Sequence, residues 1–319
     1  MDQLVFYSLF LPSAHPRLDL LRQLLTSVQS LRQYNARIPI VVFAYDGAAA
    51  AVEPLLAPYD VSVLPQGSYE GRLAEVCPDG SMYLAQYPLL HKFLNFGAIA
   101  TMQPRQALFL DCDTLFFDDV ARLFARYGEA HCYAREEPTC ARSHHGYDRE
   151  YLDETALVQL TSTLGISPLP PFNLGAVLFN HGIWDALAHL EPTLIQYAWR
   201  LLLWLAMNPS ERRARSYGQI ESAISMRNEP DDLVEWAKAS PPLPFPSANE
   251  WILDEVALWL TLGHLPRLRY GDFSPHHVVQ NGELLSHAVP RPEWILCHYF
   301  SQNMSRVEQW LRASIAVNA

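Results

Sequence analysis

The chain has 319 residues, 50% of them hydrophobic and only 18% charged, so it can bury a large core as one domain or as two closely associated ones. A net charge of −11 argues against a general nucleic-acid binder, which carries a basic surface. That charge still allows a small anionic ligand, because a metal and one or two local cations can hold a phosphate. The five cysteines, Cys77, Cys112, Cys132, Cys140 and Cys297, are odd in number and lack metal-binding spacing. They read as reduced, which predicts a cytoplasmic protein. Leu4 to Leu11 follows the start without a basic segment or a small-residue cleavage site, and is predicted as a first strand rather than a signal peptide. The longest apolar helical stretch, near Leu201 to Met207, is too short to span a bilayer, so no transmembrane segment is expected.

In chain order, a strand over about Leu4 to Leu9 precedes a loop with Pro12 and Pro16. Leu18 to Tyr34 has helical periodicity, with Leu20, Leu21, Leu24, Leu25, Val28 and Leu31 on one face. Ile38 to Ala44 is a second buried strand, Ala48 to Leu56 a short helix and Val61 to Leu64 a third strand. Strand and helix alternate here, which is the pattern of a parallel sheet with covering helices. In such sheets ligands bind beyond the carboxyl ends of the strands.

Tyr83 to Ala100 reads as one further helix, with Lys92 among Leu89, Leu90, Phe93, Leu94 and Phe96. That lysine either snorkels to water along a packed stem or aims its charge at a diphosphate or at Asp111. Ala107-Leu-Phe-Leu110 follows, too short for a helix and right for a buried strand. It breaks into Asp111-Cys112-Asp113. Two carboxylates this close repel unless neutralised, and a divalent cation, Mg²⁺ or Mn²⁺, favours oxygen ligands and keeps positions for phosphate. A pair of solvated turn aspartates is the plainer alternative. Phe117 to Val120 starts another helix.

The polar stretch from His131 to Gly165 holds His144 and His145, which read as part of an exposed loop because adjacent histidines seldom chelate one ion. Phe172 to Asn180 is a strand in which Gly175 marks a bulge or a close backbone approach. Asn173 at its start is either a turn residue or a group facing a ligand. Trp184 to Met207 is an apolar helix; Glu211-Arg-Arg-Ala-Arg215 is a basic patch, and a helical run to Ala239 and a proline linker over Pro241 to Pro246 follow. Asn249 to Leu262 is a helix carrying Asp254 and Glu255, Trp294 to Phe300 a last buried strand, and Met304 to Ala316 an amphipathic helix that caps the core.

Taken together, Tyr87 to Lys92, Leu108 to Asp113, Phe172 to Asn180, the Asp254-Glu255 pair and His298 resemble the nucleotide-diphospho-sugar transferases of the glycosyltransferase-A fold. The resemblance is strongest to the retaining, glycogenin-like and bacterial galactosyltransferase-like group. It implies an α/β, Rossmann-like fold with a central, mainly parallel sheet flanked by helices, as a single catalytic domain over 1–319 with a helical insertion at 184–246. It implies Mn²⁺ (or Mg²⁺) held by Asp111, Asp113 and His298, with Lys92 near the nucleotide and Asn173 to Gly175 lining the sugar pocket. One of Asp254 and Glu255 would lie beside the reacting sugar. The implied activity is transfer of a sugar from a nucleotide-sugar donor, a UDP-sugar by preference, to an acceptor that is a glycan, a lipid or a protein. Two departures stand out: the family's late His is followed by Gly and Lys, whereas this chain reads His298-Tyr-Phe-Ser-Gln-Asn303, and its Asp-Gln pair is Asp254-Glu255 here. The rival readings are a nucleotide-sugar-binding protein without turnover and a haloacid-dehalogenase-type phosphohydrolase. The latter motif wants Thr two residues beyond its second Asp, and here Thr114 follows Asp113 directly.

Overall fold

A computed structural model describes residues 1–11, 18–136, 152–209, 231–247, 252–280 and 290–299, with 283, 284, 286, 287 and 307. Its first half alternates strand and helix: β1 (Gln3–Phe10), α1 (Leu18–Tyr34), β2 (Ile40–Tyr45), α2 (Ala48–Leu56), β3 (Val61–Pro65), α3 (Tyr69–Val76), α4 (Ser81–Leu84), α5 (Phe96–Met102) and β4 (Gln106–Leu110). The strands of this half pair in parallel in the order β3-β2-β1-β4. The chain continues through β5 (Thr114–Phe116), α6 (Ala121–Arg126), β6 (Cys132–Glu136), α7 (Glu154–Leu164), β7 (Phe172–Asn180) and α8 (Trp184–Met207). It then forms α9 (Leu233–Ala239), α10 (Leu253–Leu262), β8 (Tyr270–Asp272), β9 (Val278–Gln280) and β10 (Leu296–His298). Strands β7, β6 and β8 extend the sheet to seven, β7 running antiparallel to both its neighbours. The fold is therefore α/β, with a mostly parallel central sheet flanked by helices, as expected.

Both sheet faces are covered, which is why β1, β2 and β4 are buried along almost their whole length. Along β1, Leu4 and Phe6 join the layer of α5, α8 and α10, while Val5, Tyr7 and Leu9 join that of α1 and α2. Successive side chains on a strand point to opposite faces, so one strand feeds both layers. A separate three-stranded sheet, in the order β5-β10-β9, carries β10 antiparallel to β5. No helix among the described residues is long and apolar enough to cross a membrane.

The predicted helix over Tyr83 to Ala100 is not one helix. The segment divides into α4, a 3₁₀ turn over Pro88–Lys92, and α5. Pro88 lacks the N–H that a continuing helix needs and forces Tyr87 into extended backbone, with φ −104° and ψ 95°. The stretch after Asp113 enters β5 before α6 begins at Ala121, and the polar region after His131 contains β6 and α7, which periodicity missed. The last strand is shorter than expected, Leu296–His298. His144, His145, the arginines at 212, 213 and 215, the predicted helix start at 249 and most of the C-terminal helix lie outside the described residues.

Candidate metal and sugar-nucleotide site

The site forms where β4 ends. Asp111 leaves the strand with its backbone N–H donating to Gly175 O at 3.0 Å, so β4 and β7 stay joined at the turn. Thr114 Oγ1 donates back to Asp111 O at 3.1 Å and sits 2.6 Å from Ser27 Oγ of α1, which in turn lies 2.8 Å from the Tyr7 hydroxyl. This buried hydroxyl chain fixes the turn from beneath. From the other side, Tyr299 N–H donates to Asp113 O at 2.9 Å, and β10 pairs His298 with Thr114. Two sheets thereby converge on one tripeptide.

Ligand atoms of Asp111, Asp113 and His298 all lie within 4.8 Å of one another. His298 Nε2 is 3.3 Å from Asp113 Oδ1. Burial alone would lower the His298 pKa, but the Asp113 and Asp111 charges outweigh it and raise it. The same field that favours a proton on the ring favours a divalent cation among the three groups. Two carboxylates and one imidazole are a donor set that suits Mn²⁺ or Mg²⁺, so the residues present fit such an ion. Gly175 leaves the room for the ring: a Cβ there would run into His298 Cγ and Nδ1. The glycine read as a close backbone approach makes that approach to His298.

Lys92 does not snorkel. Its ammonium lies 3.0 Å from Asp111 Oδ1 and 3.1 Å from Asp254 Oδ2, with its side chain 9% exposed. Burial opposes its charge, yet the two carboxylates more than compensate and raise its pKa. Asp254 is raised by burial and by the Asp111 charge, with Lys92 opposing. One cation thus holds two carboxylates from β4 and α10. An ammonium has three donors, so with two of them directed at these carboxylates at most one remains for a further acceptor.

Asp254 and Glu255 occupy the first turn of α10, where the helix dipole favours acids. They diverge as adjacent helical residues must, and each finds a partner. Asp254 takes Lys92, while Glu255 Oε1 accepts from Leu174 N–H at 3.3 Å and from Asn173 Nδ2 at 3.4 Å. Asn173 Oδ1 accepts from Gly175 N–H at 2.8 Å, an Asx turn that sets the start of β7. All eight residues singled out in the sequence therefore meet at one end of the sheet.

Sequence reasoning missed the support beneath Lys92. Ser8 Oγ of β1 donates to His91 O at 3.1 Å and accepts from Asn95 Nδ2 at 3.0 Å, and Tyr45 donates to Asn95 Oδ1 at 2.7 Å. These groups tie the 3₁₀ turn to the carboxyl ends of β1 and β2. The available signal was a single serine inside an apolar strand. Arg135 of β6, the register partner of Asn173, was missed as well; it donates to Phe273 O at 3.0 Å and Glu283 Oε1 at 3.1 Å.

The fold and this cluster define a class: an α/β protein with a carboxylate–imidazole cluster at the carboxyl end of a central strand. No protein-family model and no curated protein matches the chain. Among solved structures, it is similar to apo xyloside xylosyltransferase 1 from mouse, with TM-score 0.47 and 12% identity over 93% of this chain and 96% of that one. It is also similar to the apo WbbM bifunctional glycosyltransferase, with TM-score 0.43 and 10% identity over 94% of this chain. The chain spans 45% of the latter's length, less than half.

Proposed function

We propose that this protein is a metal-dependent glycosyltransferase of the glycosyltransferase-A type that takes a sugar from a nucleoside diphosphate, a UDP-sugar by preference, and transfers it with retention to a glycan, lipid or protein acceptor. The observation that carries the reading is the convergence of Asp111, Asp113 and His298 ligand atoms within 4.8 Å at a strand's carboxyl end, the position where open α/β sheets bind ligands. When bound, Mn²⁺ or Mg²⁺ supplies charge stabilisation to the leaving diphosphate. In our reading the catalytic domain is single, with 184–246 as a helical insertion whose first helix, α8, packs into the core against α5 and α10. Cys77, Cys132 and Cys297 are free, buried thiols, which suits a reducing cytoplasm.

In the reaction, the bond from the anomeric carbon to the diphosphate oxygen breaks, a bond to the acceptor hydroxyl oxygen forms, and the acceptor's proton ends on the leaving phosphate. Lys92 keeps Asp111 oriented and neutralises Asp254. Glu255, positioned by the β7 backbone at Leu174, serves as the group beside the anomeric carbon, either as a nucleophile or as a fixed negative charge against an oxocarbenium-like transition state. Asn173 and Gly175 line the sugar side.

The test is incubation of the full chain with a panel of nucleotide sugars and Mn²⁺, with free UDP as readout. UDP release that disappears in Asp113→Ala and falls in Glu255→Gln with donor binding kept is the expected result. Release of inorganic phosphate instead of UDP, or normal turnover in both variants, would overturn the assignment.

A further inference from the structure

A second site lies at the other end of the same strand pair. Gln106 and Asn180 face each other where β4 begins and β7 ends, while Leu110 faces Ala176 at the end near Asp111. These pairs are four residue steps apart along the strand, roughly 13 Å. Beside Gln106 and Asn180 opens a cavity of about 150 Å³, bordered by Arg105, His131, His181, Arg269 and Glu129. That volume has room for a small ion and a few waters, and is well below the roughly 300–1,000 Å³ of pockets that enclose a whole drug-sized ligand.

Its chemistry is cationic in a chain of net charge −11. Arg105 and Arg269 come from sequence positions far apart, and among the described residues neither guanidinium has a hydrogen-bond acceptor or a carboxylate partner. Only Glu129 brings an opposing charge to the rim. His131 Nδ1 accepts the Arg269 backbone N–H at 2.9 Å, so the neutral ring carries its proton on Nε2 and offers a donor. The same residues are locked by backbone bonds, His131 N–H to Arg269 O at 2.8 Å and Asn180 N–H to His131 O at 2.8 Å. The floor cannot compete for a ligand's oxygens: Asn180 Nδ2 already donates to Tyr127 O and Ala130 O, and its Oδ1 accepts from Gln106.

We propose that this cavity binds a phosphate-sized oxyanion, either free phosphate or the phosphate group of a small monoester, through the guanidiniums of Arg105 and Arg269 and the Nε2–H of His131. Guanidinium forks match phosphate geometry, and their hydrogen bonds to an oxyanion are of the charge-assisted kind. The site is separate from the cation cluster and independent of the sugar-transfer reading.

Calorimetry of the full chain at low ionic strength, with chelator present to silence the cation cluster, tests it with inorganic phosphate and with glycerol phosphate. Saturable one-to-one binding is expected in wild type and in Asp113→Ala, weakened at least tenfold in Arg105→Ala/Arg269→Ala. Tighter binding of glycerol phosphate assigns the site to a monoester, and equal binding assigns it to the free ion. Both arginines are exposed, so the core is spared; the single variants and a circular dichroism spectrum provide the control. No saturable binding, unchanged affinity in the double variant, or loss in Asp113→Ala instead would overturn the proposal.

Discussion

Strands β4 and β7 are paired over five residues, and the two ends of that pairing are built on opposite terms. At the Gln106 end, neutral amides saturate one another. Gln106 Nε2 donates to Phe124 O and Asn180 Oδ1, Gln3 donates to Gln106 Oε1, and Asn180 closes the loop before β6. At the Asp111 end, charged groups are concentrated: Asp111, Asp113, Asp254 and Glu255 against Lys92 and His298. Buried amides that satisfy each other give register and little else. Carboxylates held near one another with too few cations create demand for a further positive charge. The fold places mutually satisfied amides at one end of a strand pair and a concentrated charge cluster at the other.

The largest effect should come from removing the cation that makes the acidic end tolerable. Lys92→Met leaves Asp254, with its side chain 3% exposed, without its partner, and losing one member of a buried pair costs about 3–5 kcal/mol. The sign of the pH dependence follows from Asp254, whose carboxyl is raised by burial. A raised carboxyl stabilises the fold below its unfolded pKa and loses that contribution as pH rises. The variant should therefore be most destabilised at pH 8 and partly restored at pH 5, with Lys92→Met/Asp254→Leu recovering stability at pH 8. Urea unfolding at the two pH values measures this, and a pH-independent loss would show that Asp254 is not the group left exposed.

Next comes Gly175→Ala, which pushes a methyl group into the His298 ring. Overpacking of this kind costs about 1–3 kcal/mol, and displacement of one ligand side chain should weaken Mn²⁺ binding roughly 10–100-fold. Titration followed by electron paramagnetic resonance reports the second effect separately. Unchanged Mn²⁺ affinity would remove His298 from the cation cluster.

The acidic end was legible in the sequence for a physical reason. Two aspartates at the end of an apolar run, a glycine within a strand and a lysine among leucines each break a local pattern, and Asp111, Gly175 and Lys92 meet in space. The amide end was not legible, since Gln106 and Asn180 are single polar residues at strand ends, where polar residues are ordinary. Their partners Phe124, Tyr127 and Ala130 contribute backbone carbonyls, which no side-chain pattern reports. Three strands after Asp113 were hidden for another reason: β5, β8 and β9 have three residues each, too few to display a period. The false helix over Tyr83 to Ala100 came from weighting apolar spacing above Pro88.

A smaller effect is expected at the amide end itself. Asn180→Leu keeps the volume but strands the carbonyls of Tyr127 and Ala130 and one bond of Gln106, a loss of about 2 kcal/mol. Divalent-cation binding should be unaffected, because the strand pairing near Asp111 is untouched. Denaturant unfolding together with Mn²⁺ titration separates the two ends; a coupled loss of both would mean that they are not independent.

The smallest effect, invisible at neutral pH, concerns the one buried ring beside Lys92. His91 lies under the acidic end with Nδ1 3.0 Å from Ser8 Oγ and its ring stacked near Tyr45. Burial, helped by the neighbouring Lys92 charge, lowers its pKa to about 3. The unfolded ring takes up its proton near pH 6.5, so between about 6.5 and 3 the unfolded chain binds one more proton than the folded one. Stability from this group is thus present above pH 6.5 and lost as pH falls through that window. One pKa unit corresponds to about 1.4 kcal/mol, so the loss from pH 7 to pH 5 is about 2 kcal/mol. His91→Gln removes the titration while keeping a polar side chain. Wild type should lose about 2 kcal/mol more than this variant between pH 7 and pH 5, with the midpoint and slope of urea unfolding as the measure. Equal losses would mean that the ring beside Lys92 is protonated in the folded state, and that the acidic end holds a second cation next to its lysine.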